Sequence, residues 1–260
     1  GEGVLDNELK YLEFIVNQYN LNPRPKLILA LEGNGEEEQI PRLSKELLGY
    51  SFSTLGIEVI NIHGIGNFEG RKGTDKYGAW EKFIDYYHNR QTIVYIILDN
   101  EGRVSSLKDR LIKVPSKFYS KRTVTKDEYM YLWNRNIEFD NFSHSEIAQA
   151  MTMLSEDRYK FTTGEIENCE KMFGKETNPL GKLFTEKVAY GMDKPKLLEL
   201  LFSFIISNSS NEFDDKKNPK RPLVKILLKI IELASRNYQP VTKDIWEKNQ
   251  ESGWFGNVIK

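Results

Sequence analysis

Two short apolar segments constrain the fold of this chain most strongly. Leu27–Leu31 and Ile93–Leu98 contain no charged residue and no alternation of polar and apolar positions. A strand that is apolar on both faces must be covered on both sides, which is typical of strands in parallel sheets. A further strand segment, 57–62, lies between them and is the second of the three in chain order, and helical patterns at 43–48 and 79–87 separate the three. This β-α-β-α-β order predicts an α/β fold built on a parallel sheet flanked by helices.

Acidic residues follow the first and third of these segments directly. Glu32 comes after the first, and Glu36 stands four residues later, across a glycine-containing turn. Asp99 and Glu101 follow the third. In open α/β sheets, ligands bind at the carboxyl ends of the strands, and a cluster of uncompensated carboxylates there is best explained by Mg²⁺ or Mn²⁺. The alternative for Glu32 and Glu36 is a pair of helix-start acids that interact with the helix dipole.

The pattern becomes mostly helical after residue 142. A fourth strand is predicted at 129–133, ending before 136–140, and the next helix starts are marked by capping signatures at Ser143, Thr162 and Asp193. The apolar stripe of 223–234 is expected to be core or a dimer face. We therefore predict a lead-in helix in 1–24, an α/β core in 25–142 and a helical region in 143–260.

Composition limits the other possibilities. The net charge is −1, so any binding of nucleic acid has to rely on local patches; the basic stretches 113–122 and 216–221 are expected to be solvated loops, with nucleic-acid phosphates as their alternative partner. The single cysteine, Cys169, and the lack of an apolar stretch of about 18 residues predict a cytoplasmic protein with no membrane segment. His88 and His144 are expected at the surface. The chain starts without Met, which indicates a piece of a longer protein or an expression remnant.

A family resemblance rests on the acidic motifs. The sequence Glu32-Gly33-Asn34-Gly35-Glu36-Glu37, followed by Pro41, resembles the EGxxE signature of the TOPRIM domain in the OLD (overcoming lysogenisation defect) nucleases. Segment 60–67 is similar to the glycine-bearing segment after strand two of that family. Asp99-Asn100-Glu101-Gly102 stands where the family has its DxD motif, with Glu101 in place of the second aspartate. Glu36 favours the nuclease branch over topoisomerases and primases.

The resemblance implies a TOPRIM, Rossmann-like catalytic core and a DNA endonuclease or nickase that uses two Mg²⁺ or Mn²⁺ ions. It also implies a later acidic ligand, for which Glu138 is the candidate and Asp140 the fallback. A lysine is implied as well, with Lys194 as the candidate and Lys187 or Lys196 as alternatives. Members of the family commonly carry an ABC-type ATPase in the same chain and act in defence against phage or other foreign DNA, and a homodimer is a further expectation.

Two other classes of function stay open. The glutamate at position 101 motivates a non-catalytic TOPRIM-like module that binds nucleic acid or serves in assembly. A TOPRIM ribonuclease or a primase-like enzyme is the third possibility. Glu37 and Glu38 are expected to be solvated helix residues without a role in the site.

Overall fold

The structure is a computed structural model that describes residues 25–33, 35–63, 78–100, 104–118, 120–176 and 178–236. The lead-in helix predicted in 1–24, residues 64–67 of the glycine-bearing segment and Glu101 lie outside these residues. Within them, no helix is both long and apolar enough to cross a bilayer.

A four-stranded parallel sheet organises the fold. Its strands are β1 (Leu27–Leu31), β2 (Ile57–Asn61), β3 (Ile93–Leu98) and β4 (Met130–Leu132), in the spatial order β2-β1-β3-β4. The predicted α/β fold with a parallel sheet and flanking helices is therefore confirmed. The chain leaves β1 toward β2 on one side and later adds β3 on the other side of β1. The carboxyl ends of β1 and β3 thus lie side by side where the strand order reverses, which is the usual ligand position in such sheets.

Helices cover the sheet and extend the molecule beyond it. In chain order they are α1 (Glu36–Leu48), α2 (Phe52–Leu55), α3 (Ala79–Asn89), α4 (Val104–Leu111), α5 (Ile137–Asn141), α6 (His144–Leu154), α7 (Thr163–Met172), α8 (Pro179–Val188), α9 (Lys194–Ser207) and α10 (Pro222–Arg236).

The predicted helix starts in the second half are confirmed. Ser143 and Thr162 each form a complete capping box with the glutamate three residues on. The Asp193 side chain accepts the backbone N–H of Lys196 at 3.0 Å and caps α9. Because each cap satisfies backbone donors that the helix itself leaves unpaired, these starts are fixed by local sequence.

The two central strands, β1 and β3, are buried on both faces. Leu27, Leu29 and Leu31 point into a core that includes Phe202 of α9 and Leu227 of α10, so the apolar stripe of α10 is core. On the other face, alternate residues of β1 and β3 pack with α3 and α4. The first core runs without a break from the sheet into the helical region. The division of the chain at residue 142 stays a prediction.

The fourth strand is shorter than expected. Tyr129 belongs to a 3₁₀ turn (Asp127–Tyr129), and β4 spans three residues. The segment after it forms α5, which the apolar pattern did not predict. Asn136 starts this helix, since its side chain accepts the N–H of Phe139 at 3.0 Å.

The expectation that His88 lies at the surface is wrong. The side chain is buried, with Nδ1 2.7 Å from the carbonyl oxygen of Val124, and Nε2 accepts the N–H of Val94 at 3.1 Å. A neutral imidazole with both nitrogens paired is well suited to the interior, and burial lowers the pKa of His88 to about 4. The ring ties α3 to the start of β3.

The two basic stretches are not simply solvated. Arg122 is largely buried against Asp85, with 3.4 Å between guanidinium and carboxylate. Arg221 lies between Glu146 and Glu212, at 2.6 and 2.7 Å. These arginines are structural, because each neutralises an acid that packing has removed from water.

Candidate active site

The turn between β1 and α1 positions the first pair of acids. Glu32 follows β1, and Glu36 is the first residue of α1, with only 2% of its surface exposed. The Gly33 amide donates to the Glu36 carboxylate. A Cβ on Gly33 would collide with Oε1 of Glu36, so any other residue at this position would displace the carboxylate from its place over the turn.

Gly35 brings the helical region to this turn. Its φ of 92° lies in the left-handed region that favours glycine. A Cβ at this position would stand 2.9 Å from Cα of Pro195, so the start of α1 and the start of α9 meet backbone to backbone. Lys194 directly precedes Pro195, and this contact therefore carries the lysine into the acidic site.

The ends of β1 and β3 are joined by a hydrogen bond. The Asp99 backbone N–H donates to Oε2 of Glu32 at 3.0 Å. The Asp99 side chain is also buried, with 8% exposure. Glu32 and Asp99, which follow the two strands, therefore lie next to each other.

Short helix α5 contributes Glu138. Its carboxylate is 2% exposed, and Oε1 lies 3.4 Å from Nζ of Lys194. The other oxygen, Oε2, is buried and has no hydrogen-bond partner in the part of the chain that the structure describes. Asp140 is used differently, since it accepts the backbone N–H groups of Asn134 and Arg135 in the turn before α5. Of the two predicted acids, Glu138 joins the cluster.

The three candidate lysines are also distinguished. Lys194 pairs with Glu138 and keeps about a third of its side chain exposed. Lys187 lies 3.4 Å from Glu165, away from the cluster, and Lys196 pairs with Glu199 at 2.7 Å on the surface of α9. Only the first of these three side chains approaches the acids.

Burial dominates the electrostatics of the site. It raises the pKa of Glu36 to about 7, against a smaller opposing effect of Lys194, while Glu138 and Glu32 raise the pKa further. Burial also raises the pKa of Asp99, assisted by Glu138 and Glu36. Glu138 in turn raises the pKa of Lys194, which keeps the ammonium protonated. With all groups ionised, the four carboxylates exceed the single lysine by three negative charges.

The donor set suits a hard divalent cation. Its side chains are carboxylates, which Mg²⁺ and Mn²⁺ prefer, and the partnerless oxygen of Glu138 is a buried acceptor that a cation would satisfy. As the side chains stand, no three acidic, histidine or cysteine groups among the described residues converge on one ion position. The ammonium of Lys194 stands beside Glu138, so binding of an ion requires these side chains to adjust. The assignment of individual metal ligands stays a prediction.

Sequence reasoning missed the role of Asn100. Its backbone N–H donates to the carbonyl of Arg135 at 2.8 Å, and its side chain donates to the carbonyl of Asn134 at 3.0 Å. These bonds fix the turn that leads from β4 into α5 and thereby place Glu138 beside Asp99. In the sequence, Asn100 stands between Asp99 and Glu101, and this position could have indicated that it belongs to the site.

Comparison with known proteins gives structural neighbours only. No family model and no curated protein matches the chain. The fold is similar to the C-terminal region of the Xanthomonas campestris pv. campestris OLD protein, in a structure phased with mercury (TM-score 0.48, 14% identity, covering 81% of this chain and 97% of that chain) and in one phased with iodine (0.47, 14%, 81% and 96%). It is also similar to the C-terminal region of the Burkholderia pseudomallei OLD protein (0.43, 15%, 81% and 98%).

Proposed function

We propose that this chain is a divalent-metal-dependent nuclease that hydrolyses phosphodiester bonds of DNA, with two Mg²⁺ or Mn²⁺ ions as cofactors. The observation that carries the proposal is the excess of carboxyl groups over cations at the carboxyl ends of β1 and β3, which includes a buried Glu138 oxygen without a hydrogen-bond partner among the described residues. Burial of like charges is unfavourable unless a cation compensates them. A structural ion-pair network would leave no such excess.

Each side chain has a distinct part in the proposal. Glu32, Glu36, Asp99 and Glu138 hold the ions, with Glu101 as a further ligand from outside the described residues. Bound divalent ions supply an activated water and stabilisation of the leaving oxygen. Because the pKa of Glu36 is about 7, this residue gives up a proton when an ion binds, which makes metal affinity increase with pH.

Lys194 is the proposed contact to the scissile phosphate. Its raised pKa keeps it cationic, and its partial exposure leaves the ammonium open to a ligand from solvent. A fixed positive charge at this position stabilises the negative charge that develops on the phosphate oxygens.

A nicking assay on supercoiled plasmid tests the proposal. We expect cleavage with Mg²⁺ or Mn²⁺, none in EDTA, and none for Asp99→Asn. Lys194→Met should lower the rate by about 100-fold or more. Lys196→Met is the matched control, two residues along the same helix and paired with Glu199 at the surface, and should retain activity. Equal rates for the wild type and Asp99→Asn would contradict the proposal.

The non-catalytic module is the second candidate. The observation in its favour is that Lys194 already pairs with Glu138 and that no three potential ligands converge on an ion position in the described ranges. DNA binding in EDTA, with no uptake of Mn²⁺ in calorimetry and no cleavage, would identify this module. Labelled RNA in the same assays separates a ribonuclease from a deoxyribonuclease.

The wider context is carried over from the resemblance as part of the proposal. It comprises an ABC-type ATPase in the same full-length chain, a role in defence against phage or other foreign DNA, a cytoplasmic location and a homodimer. Light scattering on the purified chain tests the last of these.

A further inference from the structure

Arg135 occupies the turn that borders the acidic site. Its carbonyl accepts the N–H of Asn100, the residue after Asp99, at 2.8 Å. Its own N–H donates to Asp140 at 3.3 Å. These bonds hold the backbone of Arg135 between the end of β3 and Glu138, which follows three residues later. The backbone of Arg135 therefore borders the proposed active site.

The guanidinium of Arg135 is held by an acid on another helix. Nη1 lies 3.1 Å from Oε1 of Glu170 on α7, and Oε2 of Glu170 lies 2.8 Å from Nε2 of His144. Nearly half of the arginine side chain remains exposed, at 45%, against 22% for the glutamate. The pair therefore has one face open to solvent, where an anion from outside can reach the arginine.

An exposed arginine–glutamate pair exchanges readily for a phosphate. Ion pairs at the surface contribute little to stability because water and salt screen them. A phosphodiester offers the planar guanidinium two oxygens, and such bidentate contacts are stronger than the single contact made here. Glu170 thus positions the guanidinium of Arg135 through a weak ion pair.

The acidic residues of the site disfavour the approach of a nucleic-acid phosphate. The four carboxylates repel a polyanion, and Lys194 is partly neutralised by Glu138. Arg42 is held by Glu46 on its own helix and by Ser203 on α9, and Lys196 pairs with Glu199 on α9. A cation at the rim of the site would favour the approach of a phosphate to Lys194 and Asp99.

We propose that Arg135 is a substrate-binding residue that contacts a backbone phosphate of the nucleic-acid strand next to the scissile bond, and that Glu170 is a positioning residue that holds the guanidinium until the strand replaces it. This inference rests on the proposed nuclease function and extends it to the side of the site from which the strand enters.

Two substitutions that each remove one charge, Arg135→Gln and Glu170→Gln, test the proposal, because they should change DNA affinity in opposite directions. Binding of a fluorescein-labelled DNA duplex is measured by anisotropy in EDTA over a series of salt concentrations. Arg135→Gln should weaken binding about tenfold and make the salt slope shallower by about one. Glu170→Gln should tighten binding by several-fold, since it releases the arginine. In the nicking assay, Arg135→Gln should raise KM and leave kcat within about twofold.

Two matched controls exclude a general effect of charge. Arg158→Gln removes an exposed arginine that pairs with Glu156 elsewhere on the molecule, and Glu167→Gln removes an exposed acid from the same helix as Glu170. Both should leave DNA affinity unchanged. If Arg135→Gln and Glu170→Gln lower the melting temperature alike and leave affinity and salt slope unchanged, the pair is only structural and the inference is overturned.

Failure of this inference and failure of the nuclease proposal give different results. A wild-type protein that cleaves plasmid while Arg135→Gln binds DNA normally overturns the inference and leaves the nuclease intact. A wild-type protein that cleaves nothing, but whose DNA affinity changes in opposite directions in the two variants, overturns the nuclease and supports Arg135 as a phosphate contact.

Discussion

The buried carboxylate of Glu36 makes the substitution Glu36→Gln a sharp test of the charge balance in the site. Glutamine has the same shape and no charge, so the variant removes one buried negative charge and little else. Burial raises the pKa of Glu36 from 4.5 to about 7 in the folded state. At 1.36 kcal/mol for each pH unit, ionising this group in the folded protein costs about 3 kcal/mol.

The sign of the effect follows from proton binding. Between pH 4.5 and about 7, the folded state binds more protons at Glu36 than the unfolded state, so this residue lowers the free energy of unfolding as pH rises through that window. Above pH 7 the full penalty is present. The metal-free Glu36→Gln protein should therefore be more stable than wild type at pH 8 by about 3 kcal/mol, or roughly 6–12 °C in melting temperature, with most of the difference lost at pH 5.

The assay is urea unfolding in EDTA at pH 5 and pH 8, repeated at pH 8 with Mn²⁺. Comparison of two proteins at the same pH cancels the contribution of titrating groups that do not interact with Glu36, such as His88. Wild type should gain stability from Mn²⁺, because binding to the folded state adds to its free energy of unfolding, and Glu36→Gln should gain much less. Glu37→Gln, at the exposed next position of α1, is the control and should change stability by less than about 0.5 kcal/mol.

Two results would refute this reasoning. If the difference in stability between Glu36→Gln and wild type is the same at pH 5 and pH 8, the Glu36 carboxylate does not carry a burial penalty. If Mn²⁺ stabilises both proteins equally, Glu36 is not a metal ligand, whatever its burial.

Three further predictions concern how the fold supports the site. Gly35→Ala should lower stability by about 1–3 kcal/mol and also lower nicking activity, because a Cβ at this position meets Pro195. The control is Gly49→Ala, which has the same sign of φ but open space around its Cβ, and it should retain activity. Equal activities in the two variants would argue against the contact between Gly35 and Pro195. Asp193→Ala should lower the free energy of unfolding in urea by about 1 kcal/mol, because α9 loses its cap, and should also reduce kcat. Asp193→Asn should retain most of the stability and most of the kcat. An unchanged kcat in the alanine variant would show that the cap does not position Lys194. His88→Phe should lower the free energy of unfolding by about 2–4 kcal/mol, since it leaves two backbone groups unpaired, and it should leave kcat unchanged. The free energy of unfolding of the wild type should lose the His88 contribution as pH falls from 6.5 to about 4. A lower kcat in the folded variant would contradict the purely structural role of His88.

Local patterns in the sequence were reliable where a conformation depends on near neighbours. The unbroken apolar segments identified β1 and β3, and the capping residues Ser143, Thr162 and Asp193 identified helix starts, because the groups involved lie within a few residues of one another. The prediction for His88 was wrong for the complementary reason. His88 pairs with Val94 at the start of β3 and with the carbonyl of Val124, which is 36 positions along the chain. A pattern of neighbouring residues does not reveal the contact with Val124.

The candidate site shows the same division. Glu32 and Asp99 are candidates from the sequence because they follow two neighbouring strands, and Glu36 is a candidate because it follows the turn after β1. The choice of Glu138 over Asp140 needed the turn at Asn134 and Arg135, where Asp140 accepts backbone N–H groups. That choice could not be read from spacing, since both acids lie on one short helix.

The sequence by itself determined that this chain has buried parallel strands with acids at their carboxyl ends, because strand burial and strand direction follow from local apolar content and from the βαβ order. Tertiary structure alone decided that β3 lies next to β1, that α9 docks on Gly35, and that Lys194 stands beside Glu138. These contacts join residues far apart in the chain, and they form because the hydrophobic core packs the helical region against the sheet.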